Sequence, residues 1–127
     1  MFSSVSANIV TDSLGNASVD LTHGINRAPN GFVYEIRYTP GSITNTATIT
    51  ITGKSTGKAI LTVPTAGGSA VSWYPRAFPN AVSNNAAGTV PSELIAIKDE
   101  VINVAVSGGG NAASGSIEII LVTDPPY

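Results

Sequence analysis

The stretch "ITNTATITIT" (residues 43–52) decides how this chain is read. Its side chains alternate: Ile43, Ala47, Ile49 and Ile51 fall on one face, and Thr44, Thr46, Thr48, Thr50 and Thr52 on the other. A helix turns about 100° per residue and would scatter these two sets, whereas a strand, with a period of two, sorts them. Threonine is β-branched and suits a pleated, wetted surface. A half-buried strand is the reading that fits.

The same period recurs on both sides. In "FVYEIRYT" (32–39), Phe32, Tyr34, Ile36 and Tyr38 are expected on one face, with Val33, Glu35 and Arg37 exposed opposite. Further strands are expected at "VSANIV" (5–10) and "ASVDL" (17–21), on either side of the turn-rich "TDSLGN". More follow at "KAILTV" (58–63), "AVSWY" (70–74), "EVINVAV" (100–106) and "SIEIILV" (116–122), with a short one around 94–97. The nine-residue "SGGGNAASG" (107–115) reads as the flexible tip of a hairpin between the last two long strands. The segment 79–92 reads as a long surface loop, and "PPY" (125–127) as a stiff tail. With 13 Gly and 8 Pro spread along 127 residues, no helical period is sustained. The expectation is one all-β domain over 1–127, an antiparallel β-sandwich or jelly-roll-like barrel of about seven to nine short strands.

Composition narrows the function classes. Charged residues make up 11% of the chain and the net charge is -2. Arg27, Arg37, Lys54, Lys58, Arg76 and Lys98 are scattered, while nucleic-acid binding calls for a dense positive patch. "MFSSVSANIV" (1–10) lacks the basic start and apolar run of a signal peptide, and no stretch has the apolar length of a membrane helix. The reading is a soluble protein with neither nucleic-acid nor membrane partners. There is no cysteine, and His23 is the single histidine, so thiolate chemistry and a typical zinc site lack ligands. No cofactor is expected.

The motif that most resembles chemistry is "TGKSTGKAI" (52–60), which contains Gly53-Lys54-Ser55, the end of a phosphate-binding loop. That loop needs a glycine five residues before its second glycine, and here residue 48 is Thr48. In the other register Thr52 takes the glycine's place and Ala59 follows Lys58. A strand, not a helix, comes next. "GKSTG" therefore reads as a five-residue hairpin loop, with Lys54 and Lys58 keeping that edge soluble or meeting an acidic neighbour. The carboxylates read as solvated, and "KDE" (98–100) as a turn. In "SWYPRAFP" (72–79), Trp73, Tyr74 and Phe78 surround Arg76. This is either a contact anchor, where Trp, Tyr and Arg are enriched, or a core tryptophan beside a half-buried tyrosine. Adjacent residues of a strand face opposite ways, so Trp73 and Tyr74 make a poor stacking platform for a carbohydrate-binding module.

From the Thr/Ile strand through "GKSTGKAIL", "WYPRA" and "DEVINVAVSGGGNAASGSIEIILV", residues 45–122, the chain resembles small virion structural proteins of tailed bacteriophages, of the kind that decorate or cement the capsid. The resemblance implies a non-enzymatic protein made in the bacterial host cytoplasm and carried on the outside of the phage head. It implies a homo-oligomer, a trimer above all, bound to the major capsid protein. No catalytic residue carries over. Trp73, Tyr74, Arg76 and Asn111, in the stretches that match, become the candidate contact residues. A tail, neck or fibre location is the alternative within the virion.

Overall fold

A computed structural model describes residues 2–23, 27–77 and 93–123. The expected 79–92 loop and the 125–127 tail lie outside the described residues. Nine strands and no helix are found among the described residues: β1 (Phe2–Val10), β2 (Ala17–Leu21), β3 (Gly31–Thr39), β4 (Thr48–Gly53), β5 (Ala59–Val63), β6 (Val71–Trp73), β7 (Ile95–Ile97), β8 (Ile102–Ser107) and β9 (Ser114–Val122). They form two antiparallel sheets packed as a β-sandwich. One sheet runs β1-β9-β3-β6, with β7 beside β6 on the same edge of β3; the other runs β2-β8-β4-β5.

Alternation builds the core. Val5 and Ile9 of β1, Ile49 and Ile51 of β4, Ile102, Val104 and Val106 of β8, and Ile117, Ile119 and Leu121 of β9 are all buried. Every second residue between them faces outward, as the threonines of 48–52 do. Ile43 and Ala47 are buried as the alternation requires, although the strand itself begins only at Thr48.

Two local expectations are corrected. In β3 the register against β9 shifts between Val33 and Glu35. This bulge places two residues where the partner strand has one and flips the alternation. Val33, Ile36 and Tyr38 are buried, while Phe32 and Tyr34 are only partly covered and do not share the face of Ile36 and Tyr38. The second correction concerns 107–115, which is not a hairpin. β8 is hydrogen-bonded between β2 and β4, and β9 between β1 and β3, so the segment crosses from one sheet to the other. Both strands are central, and a hairpin would have put them side by side.

That crossing is tightly held rather than a loose tip. Gly108, Gly110 and Ala112 adopt positive φ values of 67°, 91° and 49°. The Gly109 N–H donates to the Gly15 carbonyl at 2.9 Å, and the Ala112 N–H to the Asp12 carbonyl at 3.2 Å, tying this crossing to the β1–β2 crossing. Thr44 donates to the Gly109 carbonyl through its N–H at 3.1 Å and to the Gly108 carbonyl through its hydroxyl at 2.7 Å. At the centre, buried Thr11 donates its hydroxyl to the Gly110 carbonyl at 2.5 Å and accepts from the Ala113 N–H at 2.8 Å.

Thr11→Val keeps the shape but strands a buried N–H and a carbonyl. It is expected to cost about 1–3 kcal/mol in chemical denaturation; a neutral result would show that the knot does not depend on this hydroxyl.

Candidate protein-interaction surface

The outer face of the β1-β9-β3-β6 sheet carries two of the four candidate contact residues, Tyr74 and Arg76. Pairing fixes their order: Phe2 lies opposite Val122, Ser4 opposite Ile120, Ser6 opposite Glu118 and Asn8 opposite Ser116. On the other side of β9, Phe32 pairs with Val122, Glu35 with Ile120 and Arg37 with Glu118. The face therefore has an aromatic end, a charged middle and a small polar end.

The aromatic end is a connected cluster. Tyr34 meets Phe2 edge-to-face at 5.3 Å between ring centroids, and Tyr74 at 6.5 Å and 90°. The Arg76 guanidinium lies over the Tyr34 ring, 5.5 Å from its centre, and donates to the carbonyls of Tyr34 at 3.0 Å and Pro75 at 2.8 Å. Phe2 is 60% and Tyr74 56% exposed, so two large rings stand in water beside Tyr34, which the cation covers. The bulge in β3 is what delivers Tyr34 to this face, and the bridge between Ala77 and Glu93 anchors the chain just past Arg76.

Beneath the cluster lies Glu35, expected on an exposed face but only 8% exposed. Hydrogen bonds from Ser72, then from Arg37 and Tyr74, hold its carboxyl below the usual range. The Arg37 Nε is 3.1 Å from Glu35, and its other arm is 3.7 Å from Glu118. The Tyr74 hydroxyl thus lies near the Glu35 carboxylate while its ring stays exposed.

The other candidates go elsewhere. Trp73 points inward: its ring stacks on buried Tyr38 at 5.4 Å and 16°, and it packs against the core. Asn111 is exposed in the β8–β9 crossing, which enters β9 at Ser114, whereas the aromatic end sits at Val122. Eight strand steps, roughly 27 Å, separate those two ends of β9. The structure thus brings Tyr74 and Arg76 together with Phe2 and Tyr34, and leaves Trp73 and Asn111 out. Phe2 and Tyr34 were not singled out in the sequence because they come from strands far apart in the chain.

The remaining chemical motifs are absorbed by the fold. "GKSTG" is the β4–β5 hairpin loop, and it does cradle an anion, which comes from its own chain. Glu100 Oε1 accepts from the Thr56 N–H at 2.7 Å, the Thr56 hydroxyl at 2.8 Å and the Ser55 hydroxyl at 3.1 Å. A Cβ at Gly53 would come within 2.6 Å of that carboxylate, so the glycine makes room for Glu100. Glu100 is buried, against the expectation of a solvated side chain, and the left-handed Asp99 (φ 47°) turns the chain to aim it inward. Lys54 pairs with Asp20, and Lys58 donates to the Ala96 carbonyl at 2.8 Å. Asp12 caps its own turn, accepting from the N–H groups of Leu14 at 2.8 Å and Asn16 at 3.0 Å. His23 lies in the β2–β3 connection, where its N–H donates to the Arg27 carbonyl at 2.8 Å. Among the described residues no three His, Cys, Asp or Glu side chains gather as metal ligands. No family model, curated protein or solved structure matches the chain.

Four carboxyls are held below their ordinary values: Glu100 by the Thr56 and Ser55 donors, Asp12 by Asn16 and Leu14, Asp20 by Lys54 and Asn103, and Glu35 by Ser72 and Arg37. A depressed folded pKa adds stability that is present above the unfolded value and lost as pH falls through the folded one. Melting temperature should therefore hold steady from neutral pH down to about 5 and decline below about 4. Glu100→Gln should melt lower at neutral pH and lose part of the acid dependence; an unchanged profile would show that the carboxylate does not secure the hairpin. The buried Tyr38 hydroxyl has no hydrogen-bond partner among the described residues. Tyr38→Phe is expected to be neutral or to stabilise by about 1 kcal/mol in urea melts, since it removes an unpaired buried group.

Proposed function

We propose that this chain is a non-enzymatic structural protein of a tailed-phage virion, binding the outside of the head and bridging major capsid protein subunits. The observation that carries the reading is the aromatic end of the outer face: Phe2, Tyr74 and Arg76 gathered around Tyr34, with Phe2 and Tyr74 more than half exposed. Rigid Tyr and Arg side chains are the residues that dominate protein interfaces. The resemblance across residues 45–122 agrees with this, and so does the scarcity of charge on the chain, which permits close packing against other protein. The engagement of Asp12, Asp20, Glu35 and Glu100 in structural hydrogen bonds supports a mechanical rather than a hydrolytic role. A carbohydrate platform gains nothing from this geometry, because Tyr34 and Tyr74 stand perpendicular and offer no shared flat surface.

Purified protein mixed with phage heads lacking it should cosediment with them. The Tyr74→Ala, Arg76→Ala double variant should bind about tenfold or more weakly while keeping its circular dichroism spectrum. Binding to tails but not heads would move the protein to the tail or neck, and binding to neither would sink the proposal.

A further inference from the structure

The four outer edges of the two sheets are not equivalent. β6 and β7, on the far edge of β3, have three residues each, and Pro75 follows soon after β6. β2 has five residues and carries Asp20, engaged by Lys54 and Asn103. β5 has five, lies between Lys58 and Pro64, and is distorted by a register shift against β4. Short length, proline, charge and bulges are the devices by which β-proteins stop their edges from pairing with other chains. β1 has none of them. It spans nine residues, "FSSVSANIV", without charge or proline, its register with β9 is unbroken over nine pairs, and among the described residues it pairs with no other strand.

We infer that β1 is the site of an isologous contact, in which the β1 strands of two copies pair antiparallel about a twofold axis and fuse the two outer sheets into one. The sequence of β1 selects the register. Its outward residues are Phe2, Ser4, Ser6, Asn8 and Val10, and the two ends are the exposed apolar ones, Phe2 at 60% and Val10 at 63%. With Ser6 opposite Ser6 of the partner subunit, Phe2 lies opposite Val10 of the partner subunit at both ends, and Ser4 opposite Asn8 of the partner subunit. This register covers both exposed apolar side chains with an aromatic–aliphatic cross-strand pair, a favourable type, and sets small polar groups against each other between them. It also keeps outward residues opposite outward residues, so both outer faces look the same way. A pair would therefore present two aromatic clusters on one surface and could engage a shell at two points, with the gain in retention that follows. The contact does not depend on the virion reading, since the edge exists whatever the outer face meets. Its twofold symmetry differs from the threefold assembly that the phage resemblance implies.

The chain has no cysteine, so the register can be tested cleanly with purified protein alone and no phage heads. Light scattering of the unaltered protein is expected to give the mass of two copies. Under copper–phenanthroline oxidation, Ser6→Cys should cross-link to a covalent pair, because its Cβ atoms would face each other at about 5 Å, near disulfide reach. Ser4→Cys and Asn8→Cys should each stay uncross-linked alone and cross-link when mixed. All three sites are exposed, and unchanged circular dichroism checks the fold. A monomer or trimer mass overturns the inference, as does a pair in which Ser6→Cys fails to cross-link. Head binding is read separately, so either proposal can fail while the other stands.

Discussion

Much of this structure depends on the insertion of β9 between β1 and β3. Ile117, Ile119 and Leu121 enter the core from the inner side of this strand, and Glu118 and Ile120 face outward. A slip of one residue would exchange the two sets, exposing three large apolar side chains and burying a carboxylate. The same register sets Glu118 near Arg37 and brings Phe2 and Phe32 to opposite sides of Val122. The position of the aromatic end is thus decided by core packing on the opposite side of the sheet.

The positions of the strands were legible because alternation is a local property. The reading of 17–21 matches β2 residue for residue, and the others differ by a few residues at their ends. What alternation cannot carry is the sheet to which a strand belongs. β8 and β9 are adjacent in sequence with a glycine-rich segment between them, yet each is held by two other strands, and this follows from total burial rather than from any turn signal. The bulge at Val33–Glu35 is invisible for a related reason: Phe32 and Tyr34 are as apolar as a core face demands, and only the pairing with β9 reveals the flip. Of the contact candidates, Tyr74 and Arg76 were visible as a local cluster, whereas the two rings that complete the patch arrive from β1 and β3.

Charge is scarce here, and the structure spends much of its acidic share internally. Asp12 closes a turn, Asp20 joins two strands through Lys54 and Asn103, Glu35 braces the aromatic end and Glu100 fills the β4–β5 loop. The hairpin whose sequence suggested a phosphate site follows the same pattern: its donors are aimed at an anion, and the anion is part of the fold. Glu100 and "GKSTG" are separated by more than 40 residues, so the partner of this loop could not be read from the motif itself.

The network of sheet crossings has a kinetic consequence. β4 and β5 are the sole consecutive strands among the described residues that pair with each other; every other ladder joins segments distant in the chain. Topologies of this kind close large loops before any pairing rewards them, and they fold in milliseconds to seconds, not microseconds. Among the described strands β1 hydrogen-bonds to β9 alone, so during synthesis it waits until more than a hundred further residues have been made. An uncharged strand left waiting with both edges open is a target for chaperones, and nascent chains crowded on one message have time to meet through it.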